Sequence, residues 1–255
     1  MINQLGNTDT YHIVGHRGFK SNYPENTLLA IKEALDLGVD VLEFDLRFSK
    51  DKQLVVFHDD TLERTTDGSG DVGQYTLSEL KQLDAGSYLN AIYAGLKIAT
   101  LSELCVLLAN YPLVLLNVEI KKDSLAVEAA ARAIAMLKAH NLLQRCIFTS
   151  FDAVVITHIK ESHGLPTQGF LADKMDNFIE GEQGTYSKMD SIGIARNLLT
   201  PELVAYWQNR GVVVSGYVMD TIPQIYEALN CGVRLITCDN PLPALQFRKV
   251  LRQEL

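Results

Sequence analysis

Four short segments concentrate the side chains that could do chemistry. Glu43 and Asp45 stand two apart in "VLEFDLRF", and Glu119 and Lys121 repeat that spacing in "LLNVEIK". His58 and Asp59 follow the apolar run "LVVF", and His16, Arg17 and Gly18 follow "YHIVG". Residues two apart on a strand share a face, so each pair presents its polar groups together. Buried carboxylates repel one another and cost several kcal/mol each unless something positive sits among them. One divalent cation meets that need, and an all-oxygen set from Glu43, Asp45 and Glu119 suits a hard ion, Mg²⁺ or Ca²⁺, better than zinc. Two histidines beside such a centre, His16 and His58, suit phosphoester cleavage. One removes a proton from the nucleophile while the other protonates the leaving oxygen. Arg17 and Lys121 supply donors for phosphate oxygens. An isolated Glu-x-Asp reads more simply as structural ion pairing with Arg17, Arg47 or Lys121. Glu119 and the two histidines move the reading to a metal centre. The other histidines (His12, His140, His158 and His163) fall at a strand start or in helix-period segments, where core or solvated roles suffice.

Groups so far apart in the chain need a fold that gathers strand ends. Runs of strand length recur at 11–16, 40–46, 113–121, 146–151, 167–172, 191–195, 212–219 and 234–238. Helix-period segments lie between most of them. "NTLLAIKEALDLG" ends in Gly38, and "SLAVEAAARAIAMLKAHN" follows an N-cap expected at Ser124. "DAVVITHIKESHG", "TPELVAYWQNRG" and "IPQIYEALNCG" each have a capping residue in front or at the start and glycine at the end. Alternating strands and helices imply right-handed crossovers and a parallel sheet. Eight strands in 255 residues is the count of an α/β fold of the TIM (β/α)₈ barrel type, whose strand ends form the active mouth. A doubly wound open sheet is the competing arrangement. Residues at about 50–99 break the alternation and read as a small insertion after the second barrel strand, too poor in apolar residues for a core of its own. Residues 1–255 are thus expected to form a single domain.

Composition narrows the remaining classes. The hydrophobic fraction of 47% and charged fraction of 21% are those of a globular chain. A net charge of −8 without a run of like charges speaks against nucleic-acid binding and against a polybasic membrane surface. "MINQLGNTDTYHIV" has neither a basic n-region nor an apolar h-region, and no run reaches membrane-spanning length, so no stable membrane insertion is expected. The four cysteines are scattered without a C-x-x-C, which suits a reducing, cytoplasmic location. Oligomeric state is not legible.

The same residues carry a resemblance. "GHRGFKSNYPENTLLAI", "GVDVLEFDLRFSKDKQLVVFHDDTLERTTDGSG", "NVEIK" and "CGVRLITCDNP" together resemble the glycerophosphodiester phosphodiesterase family, in order and over most of the chain. That family is similar in fold to phosphatidylinositol-specific phospholipases C. The resemblance implies His16 and His58 as the acid/base pair, Glu43, Asp45 and Glu119 as ligands of one divalent metal, and Arg17 and Lys121 as phosphate-binding residues. The implied substrate is a small glycerophosphodiester such as glycerophosphocholine, cleaved to glycerol 3-phosphate and an alcohol. A lysophospholipase D or inositol-phosphodiester activity is the alternative, and a non-catalytic phosphoglycerol-binding module a third.

Other features carry less. "GSGDVG" fits G-x-G-x-x-G but follows a polar stretch, so a turn is expected. "PENT" reads as a turn with Asn26 or Thr27 capping the first helix, and Asp239 as either a turn residue or a site contact. Where the family usually reads W-T-V-N, this chain has Gly216-Tyr217-Val218-Met219. If position 216 faces the mouth, the exchange widens the substrate's path. Residues 174–188 are a candidate cover for the mouth.

Overall fold

The computed structural model describes residues 11–253. Residues 1–10, most of the amino-terminal segment in which no leader is expected, lie outside them. Eight parallel strands close into a barrel: β1 (His12–His16), β2 (Val41–Phe48), β4 (Leu115–Ile120), β5 (Cys146–Thr149), β6 (Thr167–Phe170), β7 (Ser191–Ala195), β8 (Val213–Tyr217) and β9 (Leu235–Cys238). Closure comes from β1, which pairs with both β2 and β9. The remaining strand, β3 (Leu54–Val56), runs antiparallel along β2 and opens the insertion. This is the barrel expected from the alternation, and not an open sheet.

Helices α1 (Leu28–Leu37), α2 (Leu77–Leu80), α3 (Leu101–Leu108), α4 (Ala126–Ala139), α5 (Ala153–His163), α6 (Pro201–Gln208), α7 (Ile222–Asn230) and α8 (Leu242–Gln253) follow the strands and the insertion. Their starts are chemically marked. Thr27 accepts from Ala30 N at the head of α1, and Thr100 and Glu103 form a capping box on α3. Asp152 and Thr200 cap α5 and α6 in the same way. At α4 the expected cap is displaced. Asp123 Oδ1 takes the Leu125 N–H at 2.6 Å, and the helix begins at Ala126 rather than directly after Ser124.

Side-chain alternation sorts the barrel into two environments. Phe44 and Leu46 of β2 join Leu116 and Val118 of β4 in the core beneath α1, α3 and α4. The opposite faces look inward and change character along the axis. At the floor, Val14, Val41 and Leu235 pack with Leu115, and Ile147 packs with Val213. Above them, Thr149 Oγ1 donates to Asn117 at 2.5 Å and Ser191 Oγ donates to Gln168 at 3.0 Å. The next layer up is charged. In register, His16 stands beside Glu43, and Asp45 beside Glu119.

The insertion departs from expectation in one respect. Val55, Phe57, Leu62, Val72, Leu80, Ala85 and Ile98 form a small apolar cluster beneath it. It is stitched to the barrel through β3, where Val55 belongs to both the strand and that cluster. The apolar residues are few and widely spaced, yet enough to fix the turns that follow His58.

Strand β8 corrects the expectation for Gly216. A Cβ at that position would lie 2.6 Å from Met219 Cε, 3.2 Å from Leu199 Cδ1 and 3.4 Å from Val233 Cγ1, among residues of the outer core. Gly216 therefore faces the helices, and its neighbour Tyr217 faces the mouth. We expect Gly216→Trp to lower the melting temperature and to reduce turnover of every substrate alike, because an indole overpacks the helix layer, at ~1–3 kcal/mol or more. Selective slowing of bulky esters with unchanged stability would place the glycine in the substrate's path after all.

Candidate active site

The site begins with the backbone at the end of β1. Arg17 adopts the left-handed region, with φ of 57°. Gly18 follows at φ 85°, where a Cβ would lie 2.5 Å from the backbone of Ala30, so only glycine allows α1 to come this close. The turn aims both neighbours inward. Arg17 N donates to Glu43 Oε2 at 2.8 Å, Nη1 donates to Glu25 Oε1 at 2.8 Å, and Nε lies 3.4 Å from Asp45 Oδ2. Asn26, also left-handed at φ 57°, donates through Nδ2 to the same Asp45 oxygen at 2.8 Å.

Glu43, Asp45 and Glu119 converge as the sequence suggested. Each offers an oxygen within 4.8 Å of the others, and all three residues are buried. Lys121 Nζ lies 2.5 Å from Glu119 Oε1 and 3.5 Å from Asp45 Oδ1. Burial raises the Glu43 carboxyl well above its usual range, and the charges of Asp45 and Glu119 add to the effect. Glu119 is raised by burial and by Asp45. Burial also opposes ionisation of Asp45, but Lys121 and Arg17 overcome it and hold the group down at about 2. Three carboxylates thus face two nearby cations, and the imbalance falls on Glu43 and Glu119. Asp45 Oδ1 is buried without a hydrogen-bond partner, and so is Arg17 Nε. An orphaned carboxylate oxygen inside an all-oxygen cluster is the donor set that a hard divalent cation requires.

Both expected histidines flank this cluster, each held by an aspartate. His16 Nδ1 lies 2.6 Å from Asp239 Oδ1, and its Nε2 lies 4.0 Å from Glu43 Oε2. His58 Nδ1 lies 2.5 Å from Asp59 Oδ1. Burial opposes ionisation of both aspartates' neighbours as well. It lowers the pKa of His16 and of His58, while Asp239 and Asp45 respectively push back. Asp59 is held well below the usual carboxylate range, chiefly by Arg64. An ionised carboxylate can only accept, so each Nδ1 carries the proton and each Nε2 is left bare in the neutral ring.

The structure decides between the two roles open to Asp239 and brings in Glu25 and Asn26, to which the sequence alone assigns no chemistry. Asp239 is a site contact, anchored further by Lys20 Nζ at 3.1 Å. "PENT" caps α1 through Thr27 but also places Glu25 and Asn26 against Arg17 and Asp45. A cleft of about 510 Å³ opens beside His58, lined by Arg47, Asp59, Asp60, Lys122, Phe151 and Lys174 together with Glu119 and Lys121. Phe151 stacks on Phe170 at 3.6 Å, and Tyr217 meets Phe170 edge-on at 5.9 Å. A Cβ on Gly193 would lie 2.7 Å from the Phe170 ring, so the bare backbone of β7 makes room for these rings. Of residues 174–188, Lys174 lines the cleft, whereas Lys188 pairs with Glu161 on α5 at 2.8 Å.

Comparison with known proteins decides what this arrangement belongs to. A sequence profile of the glycerophosphoryl diester phosphodiesterase family matches residues 16–242, from His16 to beyond Asp239. The chain belongs to that family. The glycerophosphodiester phosphodiesterase of Bacillus altitudinis is 41% identical over 248 residues, covering 94% of this chain and 99% of its own. That of Caldanaerobacter subterraneus subsp. tengcongensis is 33% identical over 235 residues, covering 90% and 94%. Among solved structures, an Oleispira antarctica phosphodiesterase in complex with the product sn-glycerol-3-phosphate superposes with a TM-score of 0.83 at 27% identity, covering 94% of this chain and 96% of that one. The glycerophosphodiester phosphodiesterase fold is therefore present over nearly the whole chain, and the protein is an enzyme of this family. No helix among the described residues is long and apolar enough to cross a membrane.

Proposed function

We propose that this phosphodiesterase hydrolyses small glycerophosphodiesters to sn-glycerol 3-phosphate and an alcohol, with His16 and His58 as the acid/base pair. The observation that carries this reading is the placement of two aspartate-anchored histidines around one carboxylate cluster with Arg17 and Lys121 beside it. Arg17 and Lys121 orient the phosphodiester by its free oxygens. One bare Nε2 accepts the proton of the attacking oxygen, and the other ring, protonated at Nε2 as an imidazolium before the step, delivers that proton to the departing alkoxide and returns to the neutral form. Glu43, Asp45 and Glu119 would hold Mg²⁺ or Ca²⁺, which when bound neutralises negative charge on the phosphoryl oxygens. A binding module would need no anchored acid/base pair, so the non-catalytic alternative leaves the histidines unexplained.

The cleft beside His58 bears on the alcohol. Four cations and two aspartates form most of its named wall, and Phe151 is the one apolar side chain among them. Such a wall, charged at most of its named positions, suits a hydrated polar alcohol better than an acyl chain. Choline, ethanolamine, glycerol or inositol release from the corresponding glycerophosphodiesters should thus outpace release from lysophosphatidylcholine by at least ~10-fold in kcat/KM, the effect of about 1.4 kcal/mol. Release measured across that panel checks both claims. No release from any member would reject the hydrolase reading, and preference for the lysolipid would favour the lysophospholipase D alternative. A reducing, cytoplasmic setting belongs to the same proposal and is consistent with four cysteines present as free thiols.

A further inference from the structure

We infer that Arg64 is a positioning residue that ties the His58 arm of the site to the Arg17 arm. This rests on the roles proposed above for His58 and Arg17. The guanidinium bridges two carboxylates. Its Nε and Nη2 donate to Asp59 at 2.6 and 2.9 Å, and its Nη1 and Nη2 donate to Glu25 at 2.7 and 2.8 Å. Asp59 is the partner of His58 Nδ1 at 2.5 Å, and Glu25 accepts from Arg17 Nη1 at 2.8 Å. A continuous chain thus runs His58–Asp59–Arg64–Glu25–Arg17.

The two arms come from different parts of the fold, one from the insertion and one from the loop after β1. Strand register sets only the two backbones, through Arg17 N donating to Glu43 O at 3.1 Å and Phe57 N donating to Asp45 O at 3.0 Å, and a further contact must tie the side chains. Arg64 does so from a stiff turn: Leu62, Thr65 and Thr66 around it are buried, and Thr66 Oγ1 donates to Leu62 O at 2.7 Å. A planar fork with two bidentate faces fixes orientation as well as distance, which lysine's single ammonium cannot do. Glu25 is accordingly held at about 2: burial opposes its ionisation, and Arg64 and Arg17 outweigh it. The Arg64 side chain is itself 47% exposed. An exposed pair contributes little to stability, so its weight falls on geometry, where a misplacement of ~1 Å can cost ~10²-fold in rate.

Arg64→Ala is expected to lower kcat through His58 and raise KM through Arg17, for a loss of ~10–10²-fold in kcat/KM. Because the site of the lost group is half open to solvent, millimolar guanidinium should restore much of that loss. Arg64→Lys, able to engage one carboxylate at a time, should fall between. The His58 Nδ1–H resonance in ¹⁵N-histidine-labelled protein reads the same tie without turnover. It should broaden in Arg64→Ala and return with guanidinium. The inference is overturned if that resonance is unchanged in the variant. It is equally overturned if kcat and KM stay within twofold of wild type, or if activity and melting temperature fall together without rescue. Should wild type cleave no glycerophosphodiester, the proposed function fails, and the resonance alone still judges the tie.

Discussion

His58→Ala and His16→Ala are each expected to cut kcat by ~10²–10⁴-fold, the range for a positioned acid or base. Both rings are half-buried, with their Nδ1 atoms committed to Asp59 and Asp239, so each offers one nitrogen to the reaction. Neither side chain is a member of the carboxylate cluster, and divalent-ion affinity measured by calorimetry should survive both changes. Binding of sn-glycerol 3-phosphate should survive as well, because Arg17 and Lys121 remain. A variant that keeps near wild-type kcat would show that its histidine transfers no proton in the rate-limiting steps.

Chelation is expected to abolish turnover, with Mg²⁺ or Ca²⁺ restoring it. Glu43, Asp45 and Glu119 lie close enough for one ion, and Asp45 Oδ1 has no hydrogen-bond partner to lose when it ligates. Glu119→Gln preserves shape and removes a charge, so the half-saturating metal concentration should rise while the circular dichroism spectrum stays the same. The variant also exchanges the carboxylate 2.5 Å from Lys121 for a neutral amide, which strengthens the lysine's claim on Asp45. Full turnover in excess chelator would return the three carboxylates to ion pairing with Arg17 and Lys121.

The barrel is legible from eight strand-length runs alternating with helix-period segments, and the carboxylate cluster from period-two alternation within two of those strands. Glu43 and Asp45 in "VLEFDLRF" cannot share a face with Phe44 and Leu46, and Glu119 repeats the pattern on the neighbouring strand. Strand β8 shows where that logic runs out. "VVVSGYVM" is largely apolar on both faces, as parallel strands often are, so its phase is not legible and the side that Gly216 faces stays open until the fold is known. The residues that hold the site were hidden for another reason. Glu25 and Asn26 lie in a turn, where local roles already account for such residue types, while Asp239 before Asn240-Pro241 allows a turn role and a site contact equally. Arg64 sits in "LERTT" with nothing nearby in sequence to announce Glu25. Only the fold brings them to 2.7 Å. The insertion's core is not legible because its apolar residues follow neither a helical nor a strand period.

The pairing of β2 with β4, Asp45 opposite Glu119, has a consequence for the folding chain. A slip of one residue on β2 would turn Phe44 and Leu46 into the mouth and drive Glu43, Asp45 and Arg47 beneath the helices. Such a molecule could not bury its charges and would have no place for a cation. Misregistered chains are therefore both unstable and inert, and the carboxylates act as proofreaders of strand alignment. Recovered turnover after denaturation should then count correctly threaded barrels, while far-ultraviolet dichroism counts every chain that regains its strands and helices.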